Sequence, residues 1–287
     1  MNKIKFRKIN NEKVKKIVIK GRGDFVDSRP LAGKDVMPTI YGCCYVCART
    51  KMGKTRCICH MIKQCATRDT TVIVFAGTLY NDEGHITLRK YCKKKSIPYL
   101  GYVSMMEEGV NVLKELTDTL KAEAKKREEE EEDEEQGSKG KKTRNDLMML
   151  FNDDEDEEGK KGVKRCKYQA PEYIIFLDDL RNELKKPILV DLIQFHRHWH
   201  CKLFISSQYA NDILPASCEN MNYCMLFKGM PDDKLEKLHK DFSLRMPLET
   251  FIKFYKECTK EMYNFFYIDT REEKFRRNFD CMIDYNI

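Results

Sequence analysis

Residues 47–55 read CARTKMGKT, between an apolar run at residues 40–46 and an unbroken run that begins at Arg56. Strand, tight loop and helix in this order form the context that a phosphate-binding P-loop requires. Gly53, Lys54 and Thr55 match the end of the signature G-x-x-x-x-G-K-[ST], whereas Ala48 stands in place of its first Gly. A short pattern with one mismatch needs support from elsewhere in the chain.

The loop itself predicts a nucleotide site. Its backbone N–H groups and the N-terminus of the following helix would cradle phosphate oxygens. Lys54 would reach the β- and γ-phosphates of ATP, and Thr55 would ligate Mg²⁺. The candidate nucleotide-binding residues are Ala48, Arg49, Thr50, Lys51, Met52, Gly53, Lys54, Thr55 and Arg56.

A second motif supplies the acidic side chains that such a loop requires. Residues 172–179 read EYIIFLDD, so that an apolar strand ends in two carboxylates, the Walker B form. Asp178 would support Mg²⁺, and Asp179 would activate the attacking water. An ordinary strand followed by an Asp-rich turn is the alternative, but the two motifs in this order favour the ATPase interpretation. Gln208 ends another apolar strand and would point at the γ-phosphate in a parallel sheet.

Strand and helix patterns alternate along the chain, which predicts an α/β fold with a mainly parallel sheet. After the P-loop, the predicted strands are residues 70–76, 172–178, 202–208, 223–227 and 265–269. The predicted helices are residues 86–95, 110–125, 187–197, 231–242 and 247–260. Residues 1–36 read as a basic N-terminal arm. Residues 37–287 read as one P-loop ATPase domain, which contains an insertion at about residues 127–165.

Composition explains why the insertion is predicted to be disordered. Residues 128–135 are eight consecutive acids and residues 153–158 are six more, and such blocks repel themselves and bury little. Residues 121–165 carry a net charge of −4, although the whole chain of 287 residues carries +7. The remainder therefore carries +11, which indicates either a polyanionic partner such as nucleic acid or simple solubility.

The 13 cysteines and the His-rich stretch at residues 196–200 raise the question of zinc. Cys44 and Cys47 have the spacing of zinc ligands. However, they lie in an apolar strand and beside the P-loop, where free Cys usually acts as a small buried hydrophobe. No apolar run is long enough to span a bilayer and no signal peptide opens the chain, so we expect a cytosolic protein with reduced thiols.

Taken together, these motifs resemble the genome-packaging ATPases of nucleocytoplasmic large DNA viruses, the poxvirus-type branch of the FtsK/HerA superfamily. The resemblance covers about residues 36–280 apart from the acidic insertion. It rests on the P-loop, the two Walker B acids, Arg197-His198 before the strand that ends in Gln208, Leu214-Pro215 after it, and the sequence of residues 263–280.

The resemblance implies a RecA-like ASCE P-loop NTPase, with ATP and Mg²⁺ as its ligands. It implies that Lys54, Asp178, Asp179 and Gln208 are catalytic and that Thr55 and Asp178 support the metal. It further implies a homo-oligomeric ring, a pentamer or hexamer, that translocates double-stranded DNA into a capsid. Capsid or portal-like vertex proteins would be its partners, and the host cytoplasm (the viral factory) and the virion its locations.

Two departures from the family pattern concern function. Ala48 in place of Gly would open the loop differently or weaken nucleotide binding. The arginine expected soon after Leu214-Pro215 is missing, so the arginine that acts on a neighbouring subunit's site stays unassigned among Arg181, Arg197 and Arg245.

The alternative functions are those of another P-loop NTPase, such as a small-molecule kinase or a GTPase, and of a non-catalytic zinc or nucleic-acid-binding protein. A GTPase would carry an N-K-x-D motif, which the sequence lacks.

Overall fold

The computed structural model describes residues 27–135 and 166–284. Within these residues a nine-stranded sheet forms the centre of the fold, and helices cover both of its faces. The sheet strands are β1 (Cys43–Cys47), β2 (Thr71–Ala76), β3 (Tyr99–Tyr102), β6 (Tyr173–Asp178), β7 (Cys201–Ser207), β8 (Tyr223–Phe227), β9 (Phe265–Asp269), β10 (Lys274–Arg277) and β11 (Cys281–Ile283). A small separate hairpin consists of β4 (Met106–Glu107) and β5 (Val110–Asn111).

The helices alternate with the strands as the sequence predicts. They are α1 (Lys54–Cys65), α2 (Glu83–Lys95), α3 (Val112–Glu135), α4 (Pro187–Phe195), α5 (Pro215–Cys218), α6 (Asp232–Asp241) and α7 (Leu248–Cys258). Single 3₁₀ turns lie at Arg181–Lys185 and Ala210–Asp212. No described helix is both long enough and apolar enough to cross a bilayer.

The order of the strands positions the candidate site. The order is β11-β10-β9-β8-β1-β7-β6-β2-β3, and the six strands from β8 to β3 are parallel. Strand β7 separates the P-loop strand β1 from the acidic strand β6. In register, Cys47 pairs with Ser207, and Asp178 pairs with Ser206. The three strands therefore end at one level, and the predicted α/β class with a mainly parallel sheet is confirmed.

Burial on both faces explains the continuous apolar runs of the central strands. Side chains alternate between the two faces of a sheet, and in β1 Tyr45 and Cys47 join one core while Cys44 and Val46 join the other. A parallel sheet covered by helices on both faces therefore reads as uninterrupted apolar sequence. Burial raises the pKa of the Cys47 thiol to about 11, which keeps it protonated and fits its role as a small hydrophobe.

The structure differs from the sequence predictions at two places. The tail that follows β9 forms strands β10 and β11, which pair antiparallel at the sheet edge and bury Phe275. Residues 127–135 continue α3 instead of being disordered. Glu has a high helix propensity, and extending an existing helix needs no new nucleus. Arg127 also fixes the helix, because its guanidinium lies 2.9 Å from the Glu172 carboxylate.

Much of the predicted arm and insertion, residues 1–26 and 136–165, lies outside the described residues. The described end of the arm packs on the domain. Leu31 forms a parallel bridge with Gln169, and the side chains of Ala32 and Val36 are buried.

The His-rich turn at residues 196–200 has local structural contacts. The buried Nδ1 of His196 donates to the Ile193 carbonyl at 2.6 Å. His200 Nδ1 lies 3.0 Å from Glu172 Oε1, and its ring stacks on Tyr41. Among the described residues, no three His, Cys, Asp or Glu side chains converge as ligands for a metal ion.

His196 gives the protein a predicted pH dependence. Its burial lowers the pKa of the imidazole to about 4, because the charged form loses hydration. The pKa of the same imidazole is near 6.5 in the unfolded chain. Below that pH the unfolded chain binds a proton at His196, whereas the folded chain leaves the imidazole neutral until the pH approaches 4. We therefore expect the free energy of unfolding to fall by about 3 kcal/mol between pH 7 and pH 4 through this group. Urea unfolding across that interval should show a shallower decline in His196→Gln, and equal declines would contradict this assignment.

Candidate active site

The P-loop leaves β1 directly and turns into α1 at Gly53. Gly53 is the N-cap of α1 with φ +84°, a left-handed conformation that favours glycine. The N–H of Ala48 donates to the carbonyl of Ser207 at 3.2 Å, which ties the start of the loop to β7. The loop thus begins on one strand, is tied to the next, and ends at a helix N-terminus that can bind anions.

Asp178 is the most tightly held polar group of the site. Its carboxylate accepts hydrogen bonds from Thr55 Oγ1 at 3.0 Å, from the Ser206 hydroxyl, and from His85 Nε2 at 2.8 Å. Lys54 Nζ lies 4.0 Å from Asp178 Oδ1. Burial would raise the pKa of Asp178, but the His85 hydrogen bond, the Lys54 charge and the Ser206 hydroxyl outweigh it, so its pKa is lowered. The carboxylate is therefore ionised at neutral pH although only 4% of the residue is exposed.

Asp179 follows in an unusual backbone conformation that turns its side chain toward the P-loop. Its φ is +56°, and its N–H donates to the Ser206 carbonyl at 3.1 Å. Its Oδ2 accepts a hydrogen bond from Gln208 Nε2. Its Oδ1 lies 3.9 Å from Lys54 Nζ, beyond hydrogen-bond range, and has no hydrogen-bond partner although it is buried. An unpaired buried oxygen next to a lysine is available to a water or substrate group.

Gln208 connects this carboxylate to the phosphate loop. Its Nε2 donates to Asp179, and its Oε1 accepts from Thr50 Oγ1 at 3.0 Å. One amide thus contacts the acidic strand end and the P-loop together. A ligand that displaced one of these two contacts would therefore also disturb the other.

The remaining predicted loop residues are more dispersed. Arg49 packs beside Gly229, with its Cδ 3.3 Å from where a Cβ on that glycine would stand. Met52 packs against the core beneath the sheet, and Lys51 and Arg56 are exposed. The backbone of the loop would supply most phosphate contacts.

Thr55 and Asp178 suit a magnesium ion. Mg²⁺ prefers hard oxygen ligands. One or two protein groups usually supply some of them, and water and phosphate supply the rest. Thr55 Oγ1 and Asp178 Oδ2 are such oxygens, held 3.0 Å apart. The donor set therefore fits the ion that the sequence motifs imply.

Sequence reasoning missed His85. It lies in the first turn of α2, where Asp82 Oδ1 caps the helix by accepting from the N–H groups of Gly84 and His85. The imidazole is 1% exposed and tilts against the Phe176 ring. The Asp-x-x-His spacing after β2 is a local sequence signal for a helix N-cap at Asp82. However, only the adjacency of β2 and β6 shows that this histidine reaches Asp178.

The fold is similar to those of known viral ATPases. No protein-family model and no curated protein matches the sequence. The genome-packaging NTPase B204 from Sulfolobus turreted icosahedral virus 2, in complex with AMP, has a TM-score of 0.53 and 13% identity, covering 84% of this chain and 98% of that chain. The DNA-packaging ATPase B204 from Sulfolobus turreted icosahedral virus has a TM-score of 0.51 and 16% identity, with the same coverage. The RecA-like P-loop NTPase fold predicted from the sequence is thereby confirmed.

Proposed function

We propose that this chain is an ATP-hydrolysing motor that translocates double-stranded viral DNA into a capsid. The convergence of Lys54, Asp178, Asp179 and Gln208 at the carboxyl ends of β1, β6 and β7 carries this proposal. The likeness of the fold to two proteins described as genome- or DNA-packaging enzymes supports it. The +11 charge outside residues 121–165 suits a polyanionic substrate.

Each side chain has a distinct role in hydrolysis. The P-loop N–H groups and Lys54 bind phosphate oxygens and stabilise charge that develops on them. Mg²⁺, held by Thr55 and Asp178, would supply further neutralisation of that charge. Asp179 orients the attacking water and accepts its proton. Gln208, joined to both Asp179 and Thr50, responds to the γ-phosphate.

Further details of the proposed function follow from the family that the sequence resembles. They are membership of the FtsK/HerA superfamily in its poxvirus-type branch, a ring of five or six copies, and contacts with capsid or portal-like vertex proteins. The viral factory in the host cytoplasm and the virion are the proposed locations. Arg181, Arg197 and Arg245 stay the candidates for the arginine that acts in a neighbouring subunit's site.

A translocation assay tests the motor. A third DNA strand bound to a duplex is displaced when a motor moves along that duplex. We expect displacement with ATP and Mg²⁺, and none with a non-hydrolysable analogue. ATP hydrolysis without displacement would favour another kind of P-loop NTPase. Stoichiometric zinc in a protein that does not hydrolyse ATP would favour the zinc-binding alternative.

His85→Ala is expected to lower ATP turnover by about tenfold and to raise the Mg²⁺ concentration needed for half-maximal rate. The physical reason is that Asp178 Oδ2 loses its 2.8 Å hydrogen bond, so that only Thr55 and Ser206 still donate to this carboxylate and orient it less firmly. His85→Gln keeps a donor and should recover part of the loss. His60→Ala, which alters an exposed histidine on α1, is the matched control. Mg²⁺ titrations of the three variants check this, and an unchanged Mg²⁺ dependence in His85→Ala would refute it.

A further inference from the structure

An exposed tyrosine lies against the P-loop on the side away from the acids. The Cδ1 atom of Tyr263 is 3.3 Å from the position that a Cβ on Gly53 would occupy. The edge of the ring therefore lies next to Gly53, which directly precedes Lys54. Even so, Tyr263 is 61% exposed. A large aromatic group that contacts the phosphate loop and leaves most of its surface in water is available for stacking.

The strand order determines which part of a nucleotide can reach this ring. Strands β7 and β6, which lead to Gln208, Asp178 and Asp179, lie on one side of β1, and β8 and β9 lie on the other. The γ-phosphate must face the acids for hydrolysis. The nucleoside end of the same molecule therefore extends toward β8 and β9. Tyr263 lies there, because Phe265 at the start of β9 pairs with Phe227 at the carboxyl end of β8.

The loop that carries the tyrosine is held in place. Tyr263 has φ +68°, which is uncommon for a bulky residue and persists only when the surroundings impose it. Asn278 Nδ2 donates to Asn264 Oδ1 at 3.0 Å, and the N–H of Phe265 donates to Asn278 Oδ1 at 3.1 Å. On the other side, Lys228 Nζ donates to the Lys260 carbonyl. The ring is thus presented by a loop that is anchored at both ends, which reduces the entropy lost on stacking.

We propose that Tyr263 is the stacking platform for the base of the bound nucleotide. The inference rests on the proposed nucleotide-hydrolysing function and assigns it a base subsite. The ligand class is a nucleoside di- or triphosphate, recognised through the face of its base and not through its Watson–Crick edge. Such stacking adds affinity for any base, since every base has a π-face.

Calorimetric titration with ATP and with inorganic tripolyphosphate, both with Mg²⁺, separates the base from the phosphates. Tyr263→Ala should weaken ATP binding by about tenfold and leave tripolyphosphate binding unchanged. Tyr263→Phe, which keeps the ring, should bind both ligands like the wild type. Met262→Ala is the matched control, because Met262 is 56% exposed in the same loop.

The outcomes distinguish this inference from the function on which it rests. Wild-type protein that binds neither ligand would overturn the proposed function. Binding of ATP by Tyr263→Ala at the wild-type level would overturn the base subsite alone. Parallel losses of ATP and tripolyphosphate in Tyr263→Ala would also overturn it, because the ring would then act only by shaping the P-loop.

A fluorescent variant gives an independent measurement. The chain has one tryptophan, Trp199, which is buried. Tyr263→Trp therefore adds a single exposed indole beside the P-loop. Stacking of a base should quench its emission on addition of ATP but not of tripolyphosphate. Equal responses to the two ligands, or none to ATP, would contradict the proposal.

Discussion

Lys54→Ala is expected to lower ATP turnover by about 10²–10³-fold. The Lys54 ammonium lies within 4.0 Å of Asp178 and Asp179, at the N-terminus of α1, where it can stabilise charge on transferring phosphate oxygens. Removing it takes away that stabilisation in a largely buried site, where electrostatic interactions are strong. Release of phosphate from ATP, measured at saturating Mg²⁺, checks the expectation.

Lys63→Ala is the matched control for this variant. Lys63 lies in the last turn of the same helix, α1, and at the opposite end from the P-loop. We expect it to hydrolyse ATP like the wild type. Undiminished turnover in Lys54→Ala would show that residues 47–55 are not the phosphate site.

Asp179→Asn is expected to lower hydrolysis by about 10²–10⁴-fold while ATP binding persists. The variant keeps Lys54 and Thr55 for the phosphates and the metal, but an amide cannot accept the proton of the attacking water. Asn also tolerates a left-handed backbone, so the φ of +56° at this position is preserved. Equilibrium binding of ATP and single-turnover hydrolysis, measured on the same preparation, test the separation of the two steps.

The substitution of the neighbouring Asp178 should have a different effect from that of Asp179→Asn. Asp178→Asn removes the charge that faces Lys54 and the carboxylate that accepts from Thr55, so both Mg²⁺-dependent binding and hydrolysis should decline. If Asp179→Asn lost binding and hydrolysis equally, Asp179 would be part of the binding site and not the group that activates water.

The parts of the site that could be predicted are those with local signals. The P-loop residues are consecutive, and Asp178 and Asp179 directly end an apolar strand. Because parallel strands end at one edge of a sheet, the order of the motifs along the chain was enough to predict that they lie together. Gln208 was predicted on the same ground, and the structure places it between Asp179 and Thr50.

The residues that escaped prediction depend on strand order, which a single sequence does not contain. His85 reaches Asp178 only because β2 pairs with β6. Tyr263 reaches Gly53 only because the antiparallel β9 returns beside β8. Strand β10 reads KFRR and strand β11 has only three residues, so their pairing at the sheet edge leaves little apolar periodicity to detect.

The proposed DNA-translocating activity is tested by the ATP turnover of the wild-type protein with and without duplex DNA, with Asp179→Asn as the blank. A DNA-translocating motor couples ATP hydrolysis to its movement along DNA, so we expect duplex DNA to raise the ATP turnover. Contacts with phosphates release counterions, so the increase should shrink as salt concentration rises. Turnover that is the same with and without duplex DNA from low to physiological salt would contradict a DNA-translocating function.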